Sequence, residues 1–268
     1  PRFNHPLSST NSRSHSYSTM KKNLSLLFIL VFAAALRLYQ LGSIPPALNR
    51  DEAGFGYEAY SLLKTAHDQH GRFLPLSFQL FGVWEYPLQF YLKIPFIALF
   101  GLNTFSVRLS VVIVSLVTLI FTFLLTDRWF NRRLALIAMG LASLSSWHFF
   151  MSRAGYSQSF YGLMFLLVGT YYLLFGKTSP VQIFGSLILG LTSFAYPAYF
   201  FFLPAYLIIL AFFYRRPGLI IAGLILISSY LVFWIPNQLR IPGGAFYAGS
   251  EADLRFRWAD KPVGERLS

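Results

Sequence analysis

The chain has 268 residues, of which 55% are hydrophobic and only 12% charged, with a mean hydropathy of +0.53; that balance excludes an ordinary soluble domain and indicates an all-α, polytopic integral membrane protein. A formal charge of +12 does not signal a nucleic-acid partner, because Lys and Arg gather in short segments between apolar runs, as the positive-inside rule describes. No cysteine is present, which excludes disulfides and thiolate metal sites.

Residues 1–19 (PRFNHPLSSTNSRSHSYST) are polar, Ser-rich and without an apolar face, and are read as a disordered N-terminal segment. A multi-span domain follows over 20–236, beginning with Met20, Lys21, Lys22 and an apolar run. A spanning helix needs roughly 20 apolar residues to cross a hydrocarbon layer about 30 Å thick. Seven spans are predicted on that basis, near 24–41, 106–126, 134–151, 157–175, 181–196, 198–214 and 218–235. The fifth and sixth are short and share a break at Pro197, which reads as a hairpin rather than one overlong helix. With the amino terminus inside, the inner segments collect Lys21, Lys22, Arg128, Arg132, Arg133, Lys177, Arg215 and Arg216. The loop 42–105 and the tail 237–268 then face outward. The many aromatic residues suit a chain anchored at headgroups, with 29 Phe, 16 Tyr and 5 Trp.

Within the outer loop, Asn49 followed by Glu52 is a helix start, and Phe55, Ala59, Leu62, Leu63 and Ala66 then fall on one face. The pattern predicts an amphipathic helix lying on the membrane, with Gly71 near its end. Acids in the first turn, here Asp51 and Glu52, are favoured by the helix dipole alone. Their place argues for more, since the turn at Pro45 and Pro46 holds them at headgroup level. The apolar segment 86–101 carries Lys93 and Pro95 and would invert every later loop if it spanned, so it is read as interfacial, with Lys93 snorkelling. At its start Glu85 lies between Trp84 and Tyr86, where a charge needs a partner or a cation. The third span ends in His148 and Arg153, and an arginine at that depth suits a phosphate.

Four blocks carry a family resemblance: RDEAGFGYEAY, WEYPLQFYLKIPFIALFGLNTFSVRLS, SLSSWHFFMSRAGYS and SFAYPAYFFFLPAY. In order and spacing they resemble membrane glycosyltransferases of the C-type fold, close to family 39, which includes protein O-mannosyltransferases and the aminoarabinose transferases that modify lipid A. The likeness covers roughly residues 24–235. It implies an inverting transfer of a sugar from a polyprenyl-phosphate donor to an acceptor, which stays unidentified, on the outer, periplasmic side of the cytoplasmic membrane. It also implies catalytic roles for Asp51 and Glu52, a divalent-cation role for Glu85, and donor-phosphate or substrate contacts from Arg153, His148 and Tyr86. The block RAGYSQSF lacks the acid that some relatives carry there. Family members are also longer, so the resemblance implies an incomplete, N-terminal portion of the fold. A transporter or flippase of lipid-linked sugars is the competing reading. It would place ionisable groups midway along the spans, whereas here they collect at one face.

Overall fold

The computed structural model describes residues 11–214 and 216–231, with side chains from residue 24 onward. Helix α1 (Asn11–Leu38) begins nine residues before the expected start of the membrane domain. Residues 1–10 and the expected tail 237–268 lie outside the described residues. Next come α2 (Arg50–Thr65), a short antiparallel hairpin of β1 (Phe78–Leu80) and β2 (Val83–Glu85), and α3 (Leu88–Phe100). The remaining elements are α4 (Thr104–Trp129), α5 (Arg132–Leu144), α6 (Ser146–Ser152), α7 (Gln158–Phe175), α8 (Ser179–Leu191) with a 3₁₀ turn (Thr192–Phe194), α9 (Ala198–Tyr214) and α10 (Gly218–Ser229).

Two of these helices, α4 and α7, are long and apolar enough to cross a bilayer alone, and α5 and α6, bent by 60° at their break, make a third crossing if taken together. The other expected spans appear as shorter apolar helices: Leu24–Leu38 within α1, then Ser179–Phe194, α9 and α10. The break at Pro197 separates α8 from α9. Helix α3 has 13 residues and is about 20 Å long at 1.5 Å per residue, short of the hydrocarbon thickness. Large apolar side chains such as Phe28, Leu141, Ile208 and Phe212 are exposed, the surface expected of a protein whose solvent is lipid.

Helix α4 is central and packs against α1, α3, α5 and α7. Its start is fixed by Asn103, whose Oδ1 accepts from the Ser106 amide at 2.9 Å. Helices α7 and α8 approach so closely that a Cβ on Gly169 would lie 2.4 Å from the Leu189 nitrogen, and one on Gly185 would lie 2.3 Å from the Leu173 nitrogen. Gly169→Ala is therefore expected to destabilise the protein. The gain in helix propensity is about 1 kcal/mol, but the clash is with backbone that cannot rotate away, and overpacking costs about 1–3 kcal/mol. Thermal unfolding in detergent would show the net loss, and an unchanged midpoint would refute it.

The segment between α1 and α4 departs from its expected form. Helix α2 lays its apolar face on protein rather than on lipid: Phe55 and Leu62 pack with Phe78, Leu80 and Phe90 of the hairpin and α3. It ends at Ala66, which takes the left-handed conformation (φ 58°), and Gly71 serves a later turn at φ 78°. Glu58, on α2, is fully buried; its Oε2 accepts from the Gln69 amide at 3.1 Å, while Oε1 has no partner among the described residues. Asp68 beside it is engaged by Arg72, with Nε at 2.7 Å from Oδ2. Burial raises the Glu58 pKa, the Gln69 amide lowers it, the Asp68 charge raises it again, and His70 and Arg72 lower it, for a net rise. A carboxyl whose folded pKa lies above its unfolded value of about 4.3 makes folding less favourable as pH rises from that value through the folded pKa. Glu58→Gln should remove this loss. Stability measured against pH should show the variant gaining on wild type between pH 4 and the folded pKa of Glu58, and parallel curves would contradict it.

Candidate active site

The site is built on the first turn of α2. Asn49 caps the helix, accepting from the Asp51 amide at 3.0 Å, and Glu52 reaches back to the Asn49 amide at 2.9 Å, completing a capping box. That places the two adjacent acids on different sides of the helix, with opposite fates.

Glu52 is 2% exposed and fully engaged. Arg108 of α4 donates Nε to its Oε1 at 3.0 Å and Nη2 to its Oε2 at 3.1 Å, and the Gly155 amide donates to Oε1 at 2.6 Å. Burial would raise its pKa, but the Arg108 hydrogen bonds and the Asn49 and Gly155 amides outweigh burial and hold it below the usual carboxylate value. Arg108 also donates to the carbonyls of Leu41, Pro45 and Ala47, so one fully buried guanidinium ties the turn after α1 to the start of α2. A Cβ on Gly155 would lie 2.9 Å from Val107 Cγ1 and 3.2 Å from Glu52 Oε1, which is why glycine stands there. The geometry gives Glu52 the bonding of an anchor between α2, α4 and the turn before α7.

Asp51 is open. Its side chain is 41% exposed, and its ion pair is a loose one, 3.6 Å from Nε of Arg50. Glu85, at the end of β2, is half-buried, and its Oε2 accepts from Gln158 Nε2 at 2.6 Å, the partner its apolar neighbours require. Burial raises its pKa; the Gln158 bond partly offsets this, and the negative charge of Asp51 raises it further. The charge of Asp51 on α2 is thus felt at Glu85 on the hairpin.

The other expected site residues are placed differently. Arg153 is 7% exposed and caps α1: Nη1 donates to the carbonyls of Leu36 (3.0 Å) and Arg37 (2.9 Å), and Nη2 to that of Ile44 (2.8 Å). His148 is buried between Arg37 Nη2, 3.0 Å from Nδ1, and Thr118 Oγ1, 3.0 Å from Nε2. Both side chains thus hydrogen-bond protein groups. Tyr86 is buried, with its ring 5.5 Å from that of Phe200. Lys93 does not snorkel: it is fully buried, with Nζ 3.0 Å from Tyr161 Oη and lying over the Tyr161 and Phe55 rings. Arg37, Arg108 and Gln158 were not singled out by sequence. The signal that could have found the arginines is a charge within an apolar run, which needs a buried partner. Among the described residues no group of three or more His, Asp or Glu converges on a metal position.

Comparison with solved structures defines the class. The fold matches the crystal structure of ArnT from Cupriavidus metallidurans bound to undecaprenyl phosphate, with a TM-score of 0.57 and 14% identity over 85% of this chain and 44% of that one. It also matches the apo state of the same protein, with a TM-score of 0.51 and 13% identity over 85% and 43%. The chain thus spans less than half the length of the solved proteins it matches, and the shared architecture is the C-type fold of membrane glycosyltransferases. Residues 27–215 match the family model of dolichyl-phosphate-mannose-protein mannosyltransferases, and the chain belongs to that family. No curated protein gives a significant match.

Proposed function

We propose that this protein transfers a sugar, with inversion, from a polyprenyl-phosphate donor to an acceptor at the outer face of the cytoplasmic membrane, with Asp51 as general base. The observation that carries the reading is the unequal fate of the acidic pair: Glu52 is locked by Arg108 and Gly155, and Asp51 is left open beside Glu85. Family membership and the undecaprenyl phosphate bound by ArnT support a lipid-phosphate donor. In the transfer, the acceptor oxygen forms a bond to the anomeric carbon as the bond from that carbon to the phosphate oxygen breaks. The acceptor proton passes to Asp51, and the polyprenyl phosphate leaves with the bonding electrons. Asp51 sits in the first turn of α2, at the end of the helix that accommodates acidic side chains. With Arg153 engaged by carbonyls, Arg50 is an open cation at this end of the helix, 60% exposed in its side chain and stacked 4.5 Å from the Phe81 ring. It is placed to attract the donor phosphate.

A divalent cation fits the residues present. Hard cations commonly take one or two carboxylates and complete their shell with phosphate oxygens. Glu85 would hold it: burial and, after it, the charge of Asp51 raise the Glu85 pKa, and a cation there would offset both. When bound, such an ion would stabilise charge on the departing phosphate.

Transfer from radiolabelled polyprenyl-phosphate mannose and its congeners, in membranes containing the full chain, tests the activity. The orientation is tested separately with single cysteines in a chain that has none of its own. Lys64→Cys should be labelled by an impermeant reagent from outside and Arg133→Cys should not. The reverse pattern would overturn the outer placement.

A further inference from the structure

Helix α3 carries a buried polar column that the glycosyl-transfer reading leaves unused. Two cross-links join this part of the chain to α7: Gln158 Nε2 to Glu85 Oε2 at 2.6 Å, and Lys93 Nζ to Tyr161 Oη at 3.0 Å. Gln89 lies between them in sequence, one helical turn before Lys93 and on the same face. Its side chain is fully buried, and neither Nε2 nor Oε1 has a partner among the described residues. Gln158 Oε1, across on α7, is likewise buried and unpartnered. Lys93 has one oxygen partner for three N–H donors, the remainder meeting the faces of Phe55 and Tyr161.

Native proteins do not leave a whole amide buried and unbonded without compensation, because each orphaned polar group loses its hydration with nothing in return. The unmet groups here are donors and acceptors together: the Gln89 NH₂ and the lysine N–H groups donate, and the two glutamine carbonyls accept. A species that is both donor and acceptor, and small enough to sit between two packed helices, answers them. A hydroxyl group has that chemistry and an inorganic anion does not, since the two amide oxygens would repel it. An ordered water needs two to four such partners, and they are present.

We propose that Gln89, Gln158 and Lys93 build a buried hydroxyl-binding subsite between α3 and α7, filled either by ordered water or by a hydroxyl of the transferred sugar. The subsite reaches Glu85 through Gln158, whose Nε2 donates to that carboxylate while its buried Oε1 is left to accept from the occupant. The sugar as source rests on the glycosyltransferase reading; the subsite itself does not.

Gln89→Leu and Gln89→Met, made in the full chain in detergent, give the sign that decides. An amide that truly lacked partners would be improved by an apolar replacement of similar shape, whereas one that holds a hydroxyl would be harmed. Both variants are expected to melt several degrees below wild type. Melting at or above wild type in both would overturn the subsite. Hydroxyl-radical footprinting of the wild-type protein reads the same site without substitution: Tyr161, though buried, should be labelled by water held beside it, and an unlabelled Tyr161 would count equally against the proposal. Melting with no lipid, with undecaprenyl phosphate and with polyprenyl-phosphate mannose separates the sources. A wild-type advantage equal in all three identifies water, and one that widens only with the glycosylated lipid identifies a sugar hydroxyl. Loss of transfer activity does not enter these readouts, so failure of the subsite and failure of the enzymatic reading remain distinguishable.

Discussion

Arg108→Met is expected to be among the most destabilising single substitutions in this protein, lowering stability by about 3–5 kcal/mol because it leaves the Glu52 carboxylate buried without its cation. Arg108 is fully buried and holds both oxygens of Glu52 together with three carbonyls of the preceding turn. Folded domains have only about 5–15 kcal/mol in hand, so the variant should unfold at markedly lower temperature or denaturant. The double variant Glu52→Gln with Arg108→Met should lose less than the sum of the two singles, since removing both charges leaves no lone buried ion. The folded pKa of Glu52 is depressed, so the stability it contributes is present above the unfolded value of about 4.3 and lost as pH falls through the folded pKa. The difference between wild type and Glu52→Gln should therefore shrink in acid. Additive losses in the double variant, or a difference independent of pH, would show that the pair is not the strut described.

Asp51→Asn is expected to have the opposite profile: transfer activity reduced by about 10²–10⁴-fold, the usual contribution of a positioned general base, with stability nearly unchanged. Its side chain is 41% exposed and its one ion pair is long, so little folding energy depends on its charge. The adjacent residues thus separate two roles that sequence leaves merged. Loss at position 52 should appear first as unfolding, and loss at position 51 as inactivity in a folded protein. Wild-type transfer by Asp51→Asn would remove Asp51 as the base.

Much of this molecule was legible from sequence because the relevant physics is local. Long apolar runs require a hydrocarbon solvent, and the helical class follows because a spanning backbone must satisfy its own hydrogen bonds. The start of α2 was legible to the residue, since a capping box involves only Asn49 and Glu52 three positions apart. That Glu85 needs a partner also followed from its apolar neighbours alone. What sequence could not give was the identity of partners separated by tens of residues. Glu52 meets Arg108 from α4 and the Gly155 amide from the turn before α7, and those meetings bury it and tie three parts of the chain together. Sequence placed Arg153 and His148 together at one membrane face but named no partner for either. Packing gave their donors and acceptors to the end of α1 and to Thr118. Sequence by itself determined a membrane-embedded helical protein with acids presented at a helix start, because hydropathy and capping act over a few residues. Only the tertiary structure decided which acid stays open, because a buried charge is settled by whichever distant group the fold brings within about 3 Å of it.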